Sequence, residues 1–152
     1  MKSINKLFAV MALVCAGLAF SSCSSENKDD KDDLVGTWEW TSVKVGGMEI
    51  SLSDLANFGM EVEEIITLTF NSDGTMNMKV VNKNGTVESS ADGTYTRSGN
   101  TLTMVAYAGT PYEDTQTAEI VSLTANRLEL LPPETMFEEM EGIEIIMVFT
   151  KR

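Results

Sequence analysis

From Val35 to the C-terminus, short runs alternate apolar and polar residues and are separated by turn-forming residues. Eight runs predict eight strands. The first covers Val35–Val45 and places Gly36, Trp38, Trp40 and Ser42 on one face. The second, Glu64–Phe70, aligns Ile66, Leu68 and Phe70, and the third, Thr75–Val81, aligns Met76, Met78 and Val80. The fourth lies within Thr86–Arg97 with a bend expected at Asp92-Gly93. The fifth, Thr101–Tyr107, aligns Leu102, Met104 and Ala106, the sixth is Thr115–Thr124 and the seventh Arg127–Leu131. The eighth, Ile143–Arg152, aligns Ile145, Met147 and Phe149. Two stretches depart from the period of two. Ser51-Leu52-Ser53-Asp54 reads as a capping box opening a short helix through Phe58. Pro132-Pro133 ends the seventh strand and leaves Glu134–Glu141 for another helical turn.

Sequential strands with mostly tight turns predict an all-β fold, an eight-stranded antiparallel up-and-down barrel with one or two short helices in the loops. In such a path the short turns 71–74, 98–100 and 125–126 share one end, and the long segments 46–63, 108–114 and 132–142 share the other. One end is therefore closed tightly and the other carries elaborate loops.

The barrel begins at Leu34, so the expected divisions are 1–22, 23–33 and 34–152. Lys2 and Lys6 precede an apolar run, Leu7–Phe20, too short to span a bilayer comfortably, which is the pattern of a secretory signal peptide. Phe20-Ser21-Ser22-Cys23 resembles the lipobox of bacterial lipoproteins, and this implies acylation of Cys23, for example with palmitate, as the first mature residue. Two or more acyl chains give stable membrane anchoring where one does not. Ser24–Asp33 (SSENKDDKDD) has no apolar residue and predicts a flexible tether. Its acidic start is either a plain solvated spacer or, by resemblance, the export tag that takes Bacteroidetes lipoproteins to the outer face of the outer membrane. The expected location is the outer membrane, with exposure at the cell surface following from the second reading. Removing residues 1–22 leaves 9 basic against 23 acidic residues, a net charge of −14. Such a surface repels nucleic acid and anionic lipid.

Gly36-Thr37-Trp38 resembles the Gly-x-Trp that opens the first strand in the lipocalin superfamily. Phe70–Thr75, Gly93–Thr96 and Ser98–Thr103 are similar to the bacterial lipocalin-like lipoproteins, especially those of Bacteroidetes. The resemblance covers Leu34 to Arg152. It implies a lipocalin-like barrel and an arginine near the end of the last strand packed over the tryptophan. The eighth strand ends beside the start of the first, so Arg152 is expected to stack on Trp38, with Gly36 and Trp38 at the barrel floor. Parity with Met147 and Phe149 points Lys151 inward and leaves Arg152 in need of a bend or bulge. The segment is shorter than typical lipocalins and lacks their disulfides and a convincing middle motif, which weighs against a large cavity.

Catalytic chemistry finds little support. With 0 His and both Cys at or before position 23, Ser-His-Asp and Cys-His arrangements have no material, and no zinc or phosphate-loop spacing occurs. No metal or cofactor is implied. Asp73-Gly74 and Asp92-Gly93 are the residues of turns before they are calcium ligands. Adjacent acids such as Glu63-Glu64 face opposite ways on a strand, unlike a glycosidase pair. Binding is better supported. Trp40, Met78 and Met104 line the inward faces, and Phe58, Met136 and Phe137 load the elaborate end with apolar surface. Two readings stay open: a lid over a pocket, or an interior filled by its own side chains. The expected function is a lipid-anchored, non-enzymatic binding protein of the bacterial envelope for a small apolar or amphipathic ligand. The alternative is an envelope protein that binds another protein through its loop end.

Overall fold

The computed structural model describes residues 33–59, 62–133 and 143–152. The strands are β1 (Gly36–Val45), β2 (Met48–Ser51), β3 (Glu64–Phe70), β4 (Thr75–Asn82), β5 (Val87–Ser98), β6 (Thr101–Ala106), β7 (Asp114–Leu123), β8 (Arg127–Leu131) and β9 (Ile145–Lys151), with a 3-10 helix at Asp54–Phe58. All pairings are antiparallel in the order β2-β1-β3-β4-β5-β6-β7-β8-β9, and β1 pairs again with β9. Eight strands thus close a lipocalin-like barrel, as expected. The ninth, β2, is an addition that the alternation did not reveal. It is four residues long and returns on β1 through Gly46-Gly47, a two-residue linker that is itself a hairpin signal.

The first strand is shared along its length. Its start, Gly36–Glu39, pairs with Thr67–Phe70 of β3, and its end, Ser42–Val45, pairs with β2. On the other edge it follows β9, with a register shift between Trp40 and Ser42. That bulge reverses the parity. Trp38 and Trp40 point inward opposite Lys151 and Phe149, and beyond the bulge Val43 and Val45 point inward opposite Met147 and Ile145. Ser42, expected on the face of the tryptophans, is turned to the outer wall. The bend expected at Asp92-Gly93 is not a break in β5: its register with β4 runs on through this point, and its ladder with β6 ends at Gly93. Gly93 is needed because β6 passes so close that a Cβ would collide with the Val105 carbonyl.

The closed end is filled. Trp38, Phe70, Tyr95, Leu102, Leu128, Phe149 and Leu34 belong to one buried cluster. Phe70 and Tyr95 meet edge to face at 4.8 Å. Buried polar ends are satisfied locally: Trp38 Nε1 donates to the Leu34 carbonyl at 2.7 Å, and the Tyr95 hydroxyl donates to the Asn71 carbonyl at 2.8 Å. Leu34, fully buried, therefore closes the floor just before β1 begins.

The cation over Trp38 is not Arg152. Lys151 Nζ lies 5.0 Å from the indole centroid. Lys151 is in register with Trp38 and shares the inward parity of Met147 and Phe149, whereas Arg152 lies one residue on, where its amide bonds the Thr37 carbonyl at 2.9 Å and its guanidinium pairs with Glu39. Gly36 completes the arrangement. Its φ is +139°, and a Cβ there would collide with Lys151 Cε.

Outside the barrel, a polar network ties β2, β1 and β8 together across β9. Ser42 donates to Glu49 at 2.6 Å, and Arg127 reaches both Glu49 (2.8 Å) and Glu129 (2.8 Å), while Lys44 Nζ binds Glu129 at 2.6 Å. Glu129 is buried. Burial pushes its carboxyl up, but the hydrogen bonds and charges of Lys44 and Arg127 outweigh this and hold it below its ordinary value. Arg127 does the same for Glu49, assisted by Ser42.

Candidate functional site

The end opposite the floor gathers, among the described residues, β2 and the helix within 46–59, the turn 83–86, the loop 107–113, and residues 132–133 and 143–144. Beneath them the barrel interior changes character. At the floor Trp38, Phe70, Leu102, Leu128 and Phe149 are fully buried; one or two rungs higher Trp40, Ile66, Met78 and Met104 pack against the core while remaining partly exposed. Met78 faces Leu68 and Ala91 across the ladder, and Met104 faces Tyr95 and Gln116. Trp40 links this upper wall to a second, smaller cluster of Val43, Leu55 and Ile145, against which Val45, Ile50, Leu52 and Val62 also pack. Its indole N–H donates to the Ser42 carbonyl at 3.0 Å, so the bulge fixes the ring.

The upper wall is thus an apolar surface with few polar groups. On β7, Gln116 Nε2 donates to Asp114 Oδ2 at 3.1 Å, opposite Met104 and Ala106. On the facing rim, Glu64, Asn82 and Glu88 come together, with Asn82 Nδ2 donating to Glu88 at 3.2 Å. Partial burial, then the neighbouring Glu88 and Glu63 carboxylates, push the Glu64 carboxyl up. These side chains offer apolar area with a few carboxylates and amides at its edge.

The residues singled out in the sequence divide. Trp40, Met78 and Met104 share the upper interior. Phe58 does not join them: it is 63% exposed, and Leu55, at 5%, is the residue of the helix that turns inward. The helix begins later than the expected capping box: Ser53 is its N-cap and makes no side-chain cap bond, while Ser51, the last residue of β2, accepts from the Asp54 amide at 3.2 Å and donates to its carboxylate at 2.7 Å. Cys23, Met136 and Phe137 lie outside the described residues, as does the expected helical turn 134–141. Val43 and Val45 escaped the sequence reading. Their signal is the switch of apolar positions from even (Trp38, Trp40) to odd (Val43, Val45), which marks the extra residue of a bulge. The Asp73 carboxylate, weighed above as a calcium ligand, accepts from the Thr75 amide (2.9 Å) and hydroxyl (2.6 Å) and shapes the β3–β4 turn.

A family model described as the lipocalin-like domain matches residues 34–130. The chain belongs to the lipocalin-like domain family. Members of this fold are in general non-enzymatic binding proteins, commonly for small hydrophobic ligands. The lipocalin-like domain here is similar to a lipocalin-like protein from Bacteroides uniformis, at 19% identity and a TM-score of 0.50, with 79% of this chain and 99% of that one covered. It is likewise similar to an uncharacterized protein from Bacteroides eggerthii, at 15% identity and a TM-score of 0.51, covering 78% of this chain and 99% of that one. At these identities the likeness is one of fold. No curated protein matches the chain.

Proposed function

We propose that this lipocalin-like domain is a lipid-anchored binding protein of the bacterial envelope that takes a small apolar or amphipathic ligand into the upper half of its barrel. The observation that carries the reading is the division of the interior: a sealed floor under Trp38, and above it a partly exposed wall of Trp40, Ile66, Met78 and Met104. Thioether side chains adapt to ligands of varied outline, and indole and aliphatic walls reward burial of apolar area at roughly 25 cal/mol per Å².

Titration with a neutral apolar fluorophore such as N-phenyl-1-naphthylamine tests it. Saturable binding is expected, with quenching of Trp40 emission that is absent from Trp40→Phe and lost when Met104→Trp fills the space. An intact fold showing no saturable uptake sinks the reading. Acylation of Cys23 is tested separately: metabolic labelling with an alkynyl palmitate analogue should mark the chain and not Cys23→Ser, and protease treatment of whole cells should report exposure. Cys23 stands ten residues before Asp33, a tether of up to about 35 Å when extended. It joins the domain at the floor, so the open end points away from the membrane in this reading.

A further inference from the structure

Among the described residues, seven large apolar side chains are exposed, and six of them lie at the open end: Met48, Phe58, Val87, Tyr107, Tyr112 and Ile143. They come from every connection at that end, whereas the barrel wall contributes only Val121. Tyr112 is 80% exposed and Met48 65%, at a high cost in unfavourable apolar hydration for residues that shape no core. The same end is acidic. Asp54, Glu63, Glu64, Glu88, Glu113 and Glu144 occupy its connections and strand ends, and Lys83 is the base among those connections. Lys44, on β1 nearby, is already joined to Glu129.

We infer that the open end is a docking surface for a polypeptide segment that carries lysines or arginines interleaved with apolar side chains. Aromatic and methionine side chains supply the contact area that anchors interfaces, and the surrounding carboxylates select a basic partner and speed its approach. An anionic membrane surface is repelled by the same carboxylates. A second copy of the chain, meeting open end to open end, would bring those carboxylates together. The inference stands on the rim, independently of whether the interior takes a small ligand.

The test uses the full chain and two labelled 18-residue probe peptides, one of lysine and leucine, one with glutamate replacing each lysine, followed by fluorescence anisotropy. The lysine peptide is expected to bind in the micromolar range and to weaken at least tenfold between 50 and 500 mM NaCl; the glutamate peptide should not bind. Phe58→Ser with Tyr112→Ser should weaken binding at least tenfold, while Val121→Ser, also exposed but on the wall, leaves it unchanged. All three positions are exposed, so a near-ultraviolet circular dichroism spectrum should confirm that the fold is kept. No binding, equal binding of both peptides, equal losses in Val121→Ser and the rim variant, or preference for phosphatidylglycerol vesicles over the peptide would overturn the inference.

Discussion

At the scale of single residues, Gly36 and Lys151 compete for one volume. The lysine reaches Trp38 only because position 36 has no Cβ, and the backbone at φ +139° independently disfavours any side chain there. Gly36→Ala is therefore expected to lower the stability measured by urea unfolding by about 1–3 kcal/mol. Lys151→Met should cost about 0.5–1 kcal/mol through the lost cation–indole contact. Arg152→Ala should change little, within about 0.5 kcal/mol, because the guanidinium is 67% exposed and solvent screens its pair with the partly buried Glu39. A loss for Arg152→Ala larger than that for Lys151→Met would contradict this assignment. The Gly-x-Trp pattern pointed to the start of β1; which cation lies over Trp38 is decided by strand parity, since a β-strand presents alternate residues and position 151 falls on the inner face. Preference for a guanidinium over an amine could not override that register.

At the scale of elements, the polar network shows four strands held together by charges on their outer face. Glu49 and Glu129 have their carboxyls held below the ordinary value near 4.5. The unfolded chain therefore takes up protons first as the medium becomes acidic. Their contribution is present above about pH 4.5 and is lost as pH falls through the depressed folded values. Glu129→Gln should lower the urea midpoint at pH 7 by an amount equivalent to about 1–3 kcal/mol, and it should show a smaller further loss at pH 3.5 than the unaltered chain. A second feature is the edge where β1 leaves β3. Above Thr67, β3 has β4 on one side and no ladder to β1 on the other, because β1 there pairs with β2. Hydrogen exchange should find the β1-facing amides of Glu64–Ile66 unprotected relative to those around Leu68. Equal protection would mean that the barrel wall is continuous at that point. Both features were only faintly legible: β2 is too short to show a period and is announced by Gly46-Gly47 alone, and the bulge that moves Ser42 to the outside shows only as the switch of apolar positions from even to odd.

At the scale of the whole molecule, the strand order, the closure and the contrast between a tight end and a loop-bearing end were readable, because alternation and turn residues encode them directly. The composition of the open end was only half readable. Sequence placed apolar residues there, but Leu55 turns inward and Phe58 outward, a choice set by the 3-10 geometry of Asp54–Phe58 rather than by hydrophobicity. With carboxylates concentrated at one end, raising NaCl from 20 to 500 mM should increase the thermal midpoint by screening their mutual repulsion; a decrease would give the outer-wall ion pairs the larger share. The floor has a mechanical consequence as well. Leu34, just before β1, is locked to Trp38 through its carbonyl. Were the chain held through Cys23, as proposed, a pull arriving at Leu34 would load the ladders of β1 with β3 and β9, where many hydrogen bonds resist together instead of parting one at a time.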